Sequence, residues 1–282
     1  MNLRTVIGVA ELNALIGQDD VLIVDCRFDI NHAWRGRQDY EEGHIPGALY
    51  ADLDRDLSDL AKMGLGRHPL PDASTFAKAL GRWGWTPQKR VIAYDNANGA
   101  LAATRLWWML RLIGHRDAAV LDGGFAAWKT AGLKLEAVSA APTPTAVNAN
   151  FDSRQIVSTD ELRQRSQSIF LLDARAAPRF RGEVEPIDPV AGHVPGARNR
   201  PFSENLTGDG RFKDPATLRS EFSALLGAVP PNQVVHMCGS GVTACHNLLA
   251  MEHAGLTDSR IYAPSWSGWI DDRSRPVATG ID

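Results

Sequence analysis

The chain carries one pattern twice, and a repeat on this scale leaves few folds open to it. Val24-Asp25-Cys26-Arg27 returns as Leu172-Asp173-Ala174-Arg175, and Gly43-His44-Ile45-Pro46-Gly47-Ala48 returns as Gly192-His193-Val194-Pro195-Gly196-Ala197, in registers that differ by a single residue. Further along, Arg90-Val91-Ile92-Ala93-Tyr94-Asp95 answers to Gln233-Val234-Val235-His236-Met237-Cys238, and Trp128 answers to Trp269. Two copies of one domain therefore fill the 282 residues. The expected boundaries are residues 1–137 for an N-terminal copy, 138–150 for a linker in which Ala, Pro, Thr and Asn dominate, and 151–282 for a C-terminal copy. In each copy short β-branched runs alternate with helical stretches such as Thr104 to Ile113 and Ala216 to Leu226. That alternation is the pattern of a mainly parallel sheet flanked by helices, so each half is expected to be a doubly wound α/β domain. Ligands of such sheets bind beyond the carboxyl ends of the strands.

One strand end stands out chemically. In Val234 to Ala244 an apolar run delivers Cys238 into the turn Gly239-Ser240-Gly241-Val242-Thr243, and a helix is expected from Ala244 to His253. Glycines in such a turn let consecutive backbone N–H groups converge on the sulfur, and the helix start adds partial positive charge. Both features suit a nucleophilic thiolate, and they would solvate the negative charge of a sulfur atom added to it. A lone cysteine is more often a small buried hydrophobe. That reading fits Cys26, directly after the strand Val21 to Val24, and Cys245, inside the following helix. It fits Cys238 poorly, because a strand-end cysteine before Gly-Ser-Gly fills no core. In the N-terminal copy Asp95 occupies the place of Cys238, and a carboxylate cannot accept a transferable sulfur, so that copy is expected to be non-catalytic. His44 and His193 sit in turns whose Pro and Gly fix the backbone, and they read as structural hydrogen-bonders.

Composition excludes several function classes. Hydrophobic residues make up 44% and charged residues 22% of the chain, and the net charge is −3, which gives no reason to invoke nucleic acid or an anionic membrane. The opening Met1-Asn2-Leu3-Arg4 leads into a segment with Glu11, Asp19 and Asp20, unlike a signal or transit peptide, and no apolar run approaches a membrane span. Three widely spaced cysteines form neither a disulfide framework nor a CxxC zinc site. A cytoplasmic setting, without metal or organic cofactor, is the expectation.

The heptad Cys238 to Ala244, CGSGVTA, resembles the active loop of the 3-mercaptopyruvate sulfurtransferases of the rhodanese superfamily. Gly43 to Ala48, Leu121-Asp122-Gly123-Gly124 and Ser265-Trp266-Ser267-Gly268-Trp269 also resemble rhodanese landmarks, so the likeness covers nearly the whole chain. Thiosulfate-specific rhodaneses carry a more basic loop of pattern Cys-Arg-Lys-Gly-Val-Thr, where this chain has neutral Gly239 and Ser240. The resemblance implies two tandem rhodanese-like domains and a persulfide on Cys238, with Gly239, Gly241, Val242 and Thr243 around the substrate. It further implies a serine-protease-like relay of Ser240 with an Asp and a His from the first half. Asp52-Leu53-Asp54 and Arg67-His68-Pro69-Leu70-Pro71 match that pattern, which nominates Asp54 and His68.

A keto-acid donor needs its carboxylate held, and arginine does this bidentately. The resemblance assigns the first such arginine to Arg179. The second, in a Glu-Pro-Glu-Pro-Arg pattern, is absent. Asp188 stands in its place after Glu185-Pro186-Ile187, and Asp188→Arg is expected to restore the contact. Arg181, Arg198 and Arg200 are alternative sources of charge, each more simply read as a solvated surface residue. The implied reaction takes sulfur from 3-mercaptopyruvate, releases pyruvate and passes the sulfur to cyanide, a small thiol or a thioredoxin-like protein. Thiosulfate is the rival donor. A cysteine phosphatase is disfavoured because Ala244 stands where its phosphate-binding arginine belongs, and a non-catalytic binding module because the cysteine loop is present.

Overall fold

The computed structural model describes residues 5–164 and 168–281, so Met1 to Arg4, read above for a leader, lie outside the described residues. Two compact units emerge. The first comprises 1–59, 71–152 and 209–211, and the second comprises 60–70, 153–208 and 212–282. The segment Leu60–Leu70 thus precedes much of the first unit in the chain yet packs within the second.

The first unit is built on a five-stranded sheet of β1 (Val6–Ile7), β2 (Val21–Asp25), β3 (Leu49–Tyr50), β4 (Arg90–Tyr94) and β5 (Ala118–Leu121), in the order β1-β5-β4-β2-β3. The second carries β6 (Phe170–Asp173), β7 (Arg198–Asn199), β8 (Val234–Met237) and β9 (Arg260–Ile261), in the order β7-β6-β8-β9. Every pairing in both sheets is parallel. Parallel strands need crossover connections, and the helices between them supply these while covering the sheet faces. The helices expected from the pattern are present as Ala102–Leu112, Pro215–Leu226 and Ala244–His253.

Several specific bonds of the repeat recur in both copies. Asp25 pairs with Tyr94 across β2 and β4, and Asp173 pairs with Met237 across β6 and β8. Just past these pairs Cys26 N–H donates to the Tyr94 carbonyl (2.7 Å), and Ala174 N–H donates to that of Met237 (2.8 Å). Trp128 and Trp269 are both buried, and each donates its indole N–H to a backbone carbonyl, of Lys134 (3.0 Å) and Pro276 (2.9 Å). His44 Nδ1 meets the Tyr40 carbonyl (2.7 Å) and His193 Nδ1 that of Phe180 (2.8 Å), which are structural bonds in both copies.

Central strands buried on both faces read as continuous apolar runs. Ile23, Ile92, Leu121 and Phe125 form the first core; Leu171, Val235, Met237, Tyr262 and Trp266 form the second. Among the described residues no helix is long and apolar enough to cross a membrane. The polar exception in β8 is His236. It is fully buried, its Nε2 lies 3.1 Å from Ser259 Oγ, and its Nδ1 meets no partner among the described residues.

Burial pushes His236 down to about 3, from an ordinary value of 6.5. Its neutral form is therefore stabilising above the unfolded pKa, and that stability is lost as pH falls from 6.5 toward 3. Between pH 7 and pH 5 this single group should cost about 2 kcal/mol. Urea unfolding at the two pH values should show a smaller acid loss in His236→Gln than in the parent chain, and equal losses would refute the assignment.

Candidate active site

Cys238 follows β8 directly and is 3% exposed. Its N–H donates to Ser265 Oγ (3.1 Å), its carbonyl accepts from Trp266 N–H (3.0 Å), and the Gly239 carbonyl accepts from Ser267 N–H (2.9 Å). The loop is thereby riveted to the helix Ser265–Trp269. Gly241 has φ +76°, and a Cβ there would strike the Ala263 carbonyl, so only glycine fits. The Val242 and Thr243 carbonyls turn into the next helix, accepting from Cys245 and His246 N–H. Consequently the N–H groups of Gly239, Ser240, Val242 and Thr243 meet no acceptor among the described residues.

The first unit shows what such a turn does with negative charge. Asp95 occupies the position of Cys238, and its carboxylate takes four loop N–H groups: Ala97 and Gly99 on Oδ1 (2.8 Å each), Leu101 (3.1 Å) and Ala103 (3.2 Å) on Oδ2. Burial raises the Asp95 carboxyl above its ordinary value while these four donors oppose the rise. In one copy the protein's own carboxylate takes the turn's N–H groups; in the other a cysteine stands at the corresponding position and the N–H groups of Gly239, Ser240, Val242 and Thr243 remain unclaimed among the described residues.

Ser240 and His68 are both buried, with His68 Nδ1 2.9 Å from Ser240 Oγ. His68 arrives on the Leu60–Leu70 segment, which is fastened inside the second unit. Gly66 (φ +88°) packs where a Cβ would strike the Pro264 carbonyl, and Arg67 N–H donates to Ser267 Oγ (3.0 Å). Asp54 belongs to the first unit, in the short helix Leu53–Asp56 capped by the Asp52 carboxylate. It is half-buried, and burial followed by the nearby Asp52 raises its carboxyl above the ordinary range.

Arg179 does face the loop, its Nη2 3.8 Å from the place a Cβ on Gly239 would take. It is already engaged: Glu185 accepts from its Nε and Nη2 (2.6–3.1 Å), and Asp188 Oδ2 accepts from Nη2 (3.2 Å). Asp188 also forms an ion pair with Arg67, a residue the motif reading passed over because only its neighbour His68 matched a pattern. Two of the three alternative arginines are bound elsewhere. Arg181 pairs with Glu183. Arg200, expected on the surface, is instead buried at 5% exposure, bonded to Glu221 (2.7 Å) and lying 4.3 Å over the Phe222 ring. Its neighbours in sequence gave no sign of those partners. Cys26 and Cys245 are fully buried, and burial, with Asp25 and Asp95 adding, pushes the Cys26 thiol well up.

Fold and site together define a tandem α/β protein in which one strand-end loop occurs twice, armed with cysteine in one copy and aspartate in the other. The chain belongs to the rhodanese-like domain family, whose model matches residues 8–131 and 158–272. It is 48% identical to a probable 3-mercaptopyruvate sulfurtransferase of Pseudomonas aeruginosa, over 99% of this chain and 100% of that protein. It is 36% identical to a putative thiosulfate sulfurtransferase, SseB, of Mycobacterium tuberculosis, over 98% of each. Among solved structures, the 3-mercaptopyruvate sulfurtransferase of Leishmania major superposes with a TM-score of 0.83 at 33% identity, covering 94% of this chain and 73% of that one.

The Asp95 cradle makes a stability prediction. Asp95→Asn replaces one acceptor oxygen with an N–H donor facing two backbone donors, a mismatch of about 1–3 kcal/mol. Guanidinium unfolding should report that loss with an unchanged denaturant slope; an unaltered midpoint would contradict the bonding described.

Proposed function

We propose that the chain is a sulfurtransferase that carries sulfur from 3-mercaptopyruvate to a thiophilic acceptor as a persulfide on Cys238. The observation that carries this reading is the cysteine at the end of β8 on an N–H-rich turn, with Ser240 of the same turn 2.9 Å from His68. The Cys238 thiolate attacks the donor sulfur, a new S–S bond forms and the donor C–S bond breaks. The bonding pair leaves with carbon as the enolate of pyruvate, which takes up a proton at C3 to balance the proton lost from the donor thiol. Ser240 and His68 are placed to move that proton or to polarise the donor carbonyl. The outer sulfur then passes to the acceptor, giving thiocyanate when cyanide is used and a persulfide when a small thiol or thioredoxin-like protein is used, and the thiolate is regenerated. Asp54 is carried as a third relay member by the Asp-x-Asp pattern alone. Gly241, Val242 and Thr243 contribute backbone to the cradle. The setting proposed is the cytoplasm.

Thiosulfate is the second reading, favoured by the two guanidiniums of Arg67 and Arg179 beside Gly239. Steady-state rates with both donors and cyanide as common acceptor decide between them. Cys238→Ser should abolish turnover of either donor. Ser240→Ala should slow 3-mercaptopyruvate turnover by about one to three orders of magnitude, the loss expected for acid–base or polarising help, and should affect thiosulfate less. Equal losses on both donors would contradict a role for the serine toward a keto acid, and no activity with either donor would overturn the reading.

A further inference from the structure

We propose that Arg67 recognises the anionic group of the sulfur donor and that Asp188 is the residue that positions it. The inference rests on the sulfur-transfer reading above and adds to it. In sequence the turn Gly239-Ser240-Gly241 is neutral, but in space it is not. Arg67 Nη2 lies 3.1 Å from the position a Cβ on Gly239 would take, so its guanidinium fills the place that a basic side chain on the turn itself would occupy.

The surrounding charges show how the guanidinium is held and which way it faces. Asp188 accepts from Arg67 Nη1 through Oδ1 and from Arg179 Nη2 through Oδ2, and Glu185 holds Arg179 from behind. The two carboxylates are sunk, at 3% and 4% side-chain exposure, while Arg67 keeps 28% and Arg179 17%. The outer face of the cluster is therefore cationic although its charges balance. Burial raises the Asp188 carboxyl and Glu185 adds to the rise, while Arg67 and Arg179 oppose it. Among the described residues, Asp188 is the one side-chain partner of the Arg67 guanidinium, and Arg67 Nε meets no acceptor. Donor capacity remains on the edge that faces Gly239, since a guanidinium has five N–H groups.

Asp188 is thus the tether of an arginine delivered by another segment, and the sequence-based expectation for Asp188→Arg is reversed. That substitution would remove the tether and set a third cation beside Arg67 and Arg179, so it should weaken donor binding.

The test uses the full chain with Arg67→Ala, Arg67→Lys and Asp188→Asn. Alkylation of Cys238 by anionic iodoacetate is compared with alkylation by neutral iodoacetamide, alongside steady-state kinetics with 3-mercaptopyruvate and with thiosulfate. Arg67→Ala should lower the iodoacetate-to-iodoacetamide rate ratio by about tenfold, Arg67→Lys should restore most of it, and Asp188→Asn should fall between them. The KM of the donor in use should rise by about ten- to a hundredfold in Arg67→Ala, with kcat changed far less, as expected for one lost charge-assisted pair. A rise confined to 3-mercaptopyruvate or to thiosulfate supports the proposal and identifies the anion as carboxylate or thiosulfate. An unchanged alkylation ratio, or a kcat loss at constant KM, overturns it. Because the ratio needs no turnover, it judges Arg67 even if the parent chain proved inactive with both donors, the outcome that would overturn the function proposed above.

Discussion

A buried aspartate–arginine fork at the end of each central strand holds the strand ends in register with the turns that surround them. Arg27 donates to both oxygens of Asp25 and to the Gly43 carbonyl (2.7 Å); Arg175 repeats this with Asp173 and the Gly192 carbonyl (2.8 Å). An ion pair so deeply buried survives only when its remaining donors are satisfied. The carbonyls of the Gly-His-x-Pro turns meet that demand. Each guanidinium also lies over an aromatic ring, Phe125 at 4.0 Å and Trp266 at 4.7 Å. The fork thus binds strand, turn and the helix behind the loop into one piece.

The two copies finish the fork differently, and that difference reaches the chemistry. In the first, Tyr94 Oη donates to Asp25 Oδ2 (2.7 Å) and closes the network. Its counterpart in the second is Met237, which has no hydroxyl, and Arg175 extends instead to Glu185 (3.5 Å). Burial works against the Arg175 charge, but Asp173 and Glu185 outweigh it and hold the group above its ordinary value. From Glu185 the network continues through Arg179 and Asp188 to Arg67 beside Gly239. A structural ion pair in the core is the inner end of a chain of charges whose outer end faces the cysteine turn. The same duplication produced Asp95, whose carboxyl oxygens take four N–H groups of the corresponding turn in the first copy.

Much of this was legible in the sequence wherever the signal is local. Apolar runs ending at Asp25, Asp95, Asp173 and Cys238 located the strand ends, glycines located the turns, and the helix Ala244–His253 lies where the pattern placed it. The helix read from Thr104 begins at Ala102. What escaped depends on contacts between residues remote in the chain. The Arg67–Asp188 pair joins positions no periodicity connects, so Asp188 read as a missing arginine. Arg200 read as solvated because its partners Asn205 and Glu221 become neighbours only on folding. The placement of Leu60–Leu70 in the second unit was hidden for a related reason: the repeat allots that segment to the first copy, while Gly66 packs against Pro264 and the Arg67 N–H bonds to Ser267. His68 and its partnership with Ser240 were reachable through family resemblance, and the structure supplies the 2.9 Å contact between them.

The central claim is that the turn after β8 makes Cys238, alone of three cysteines, the carrier of sulfur. Peptide mass spectrometry after incubation with 3-mercaptopyruvate or thiosulfate, without acceptor, tests it directly. The account predicts a gain of about 32 Da, one sulfur atom, on the Cys238 peptide and none at Cys26 or Cys245, because only Cys238 stands at a strand end on the glycine turn while the other two are fully buried. Sulfur on Cys26 or Cys245, or no gain on Cys238 with a donor the chain turns over, would contradict it.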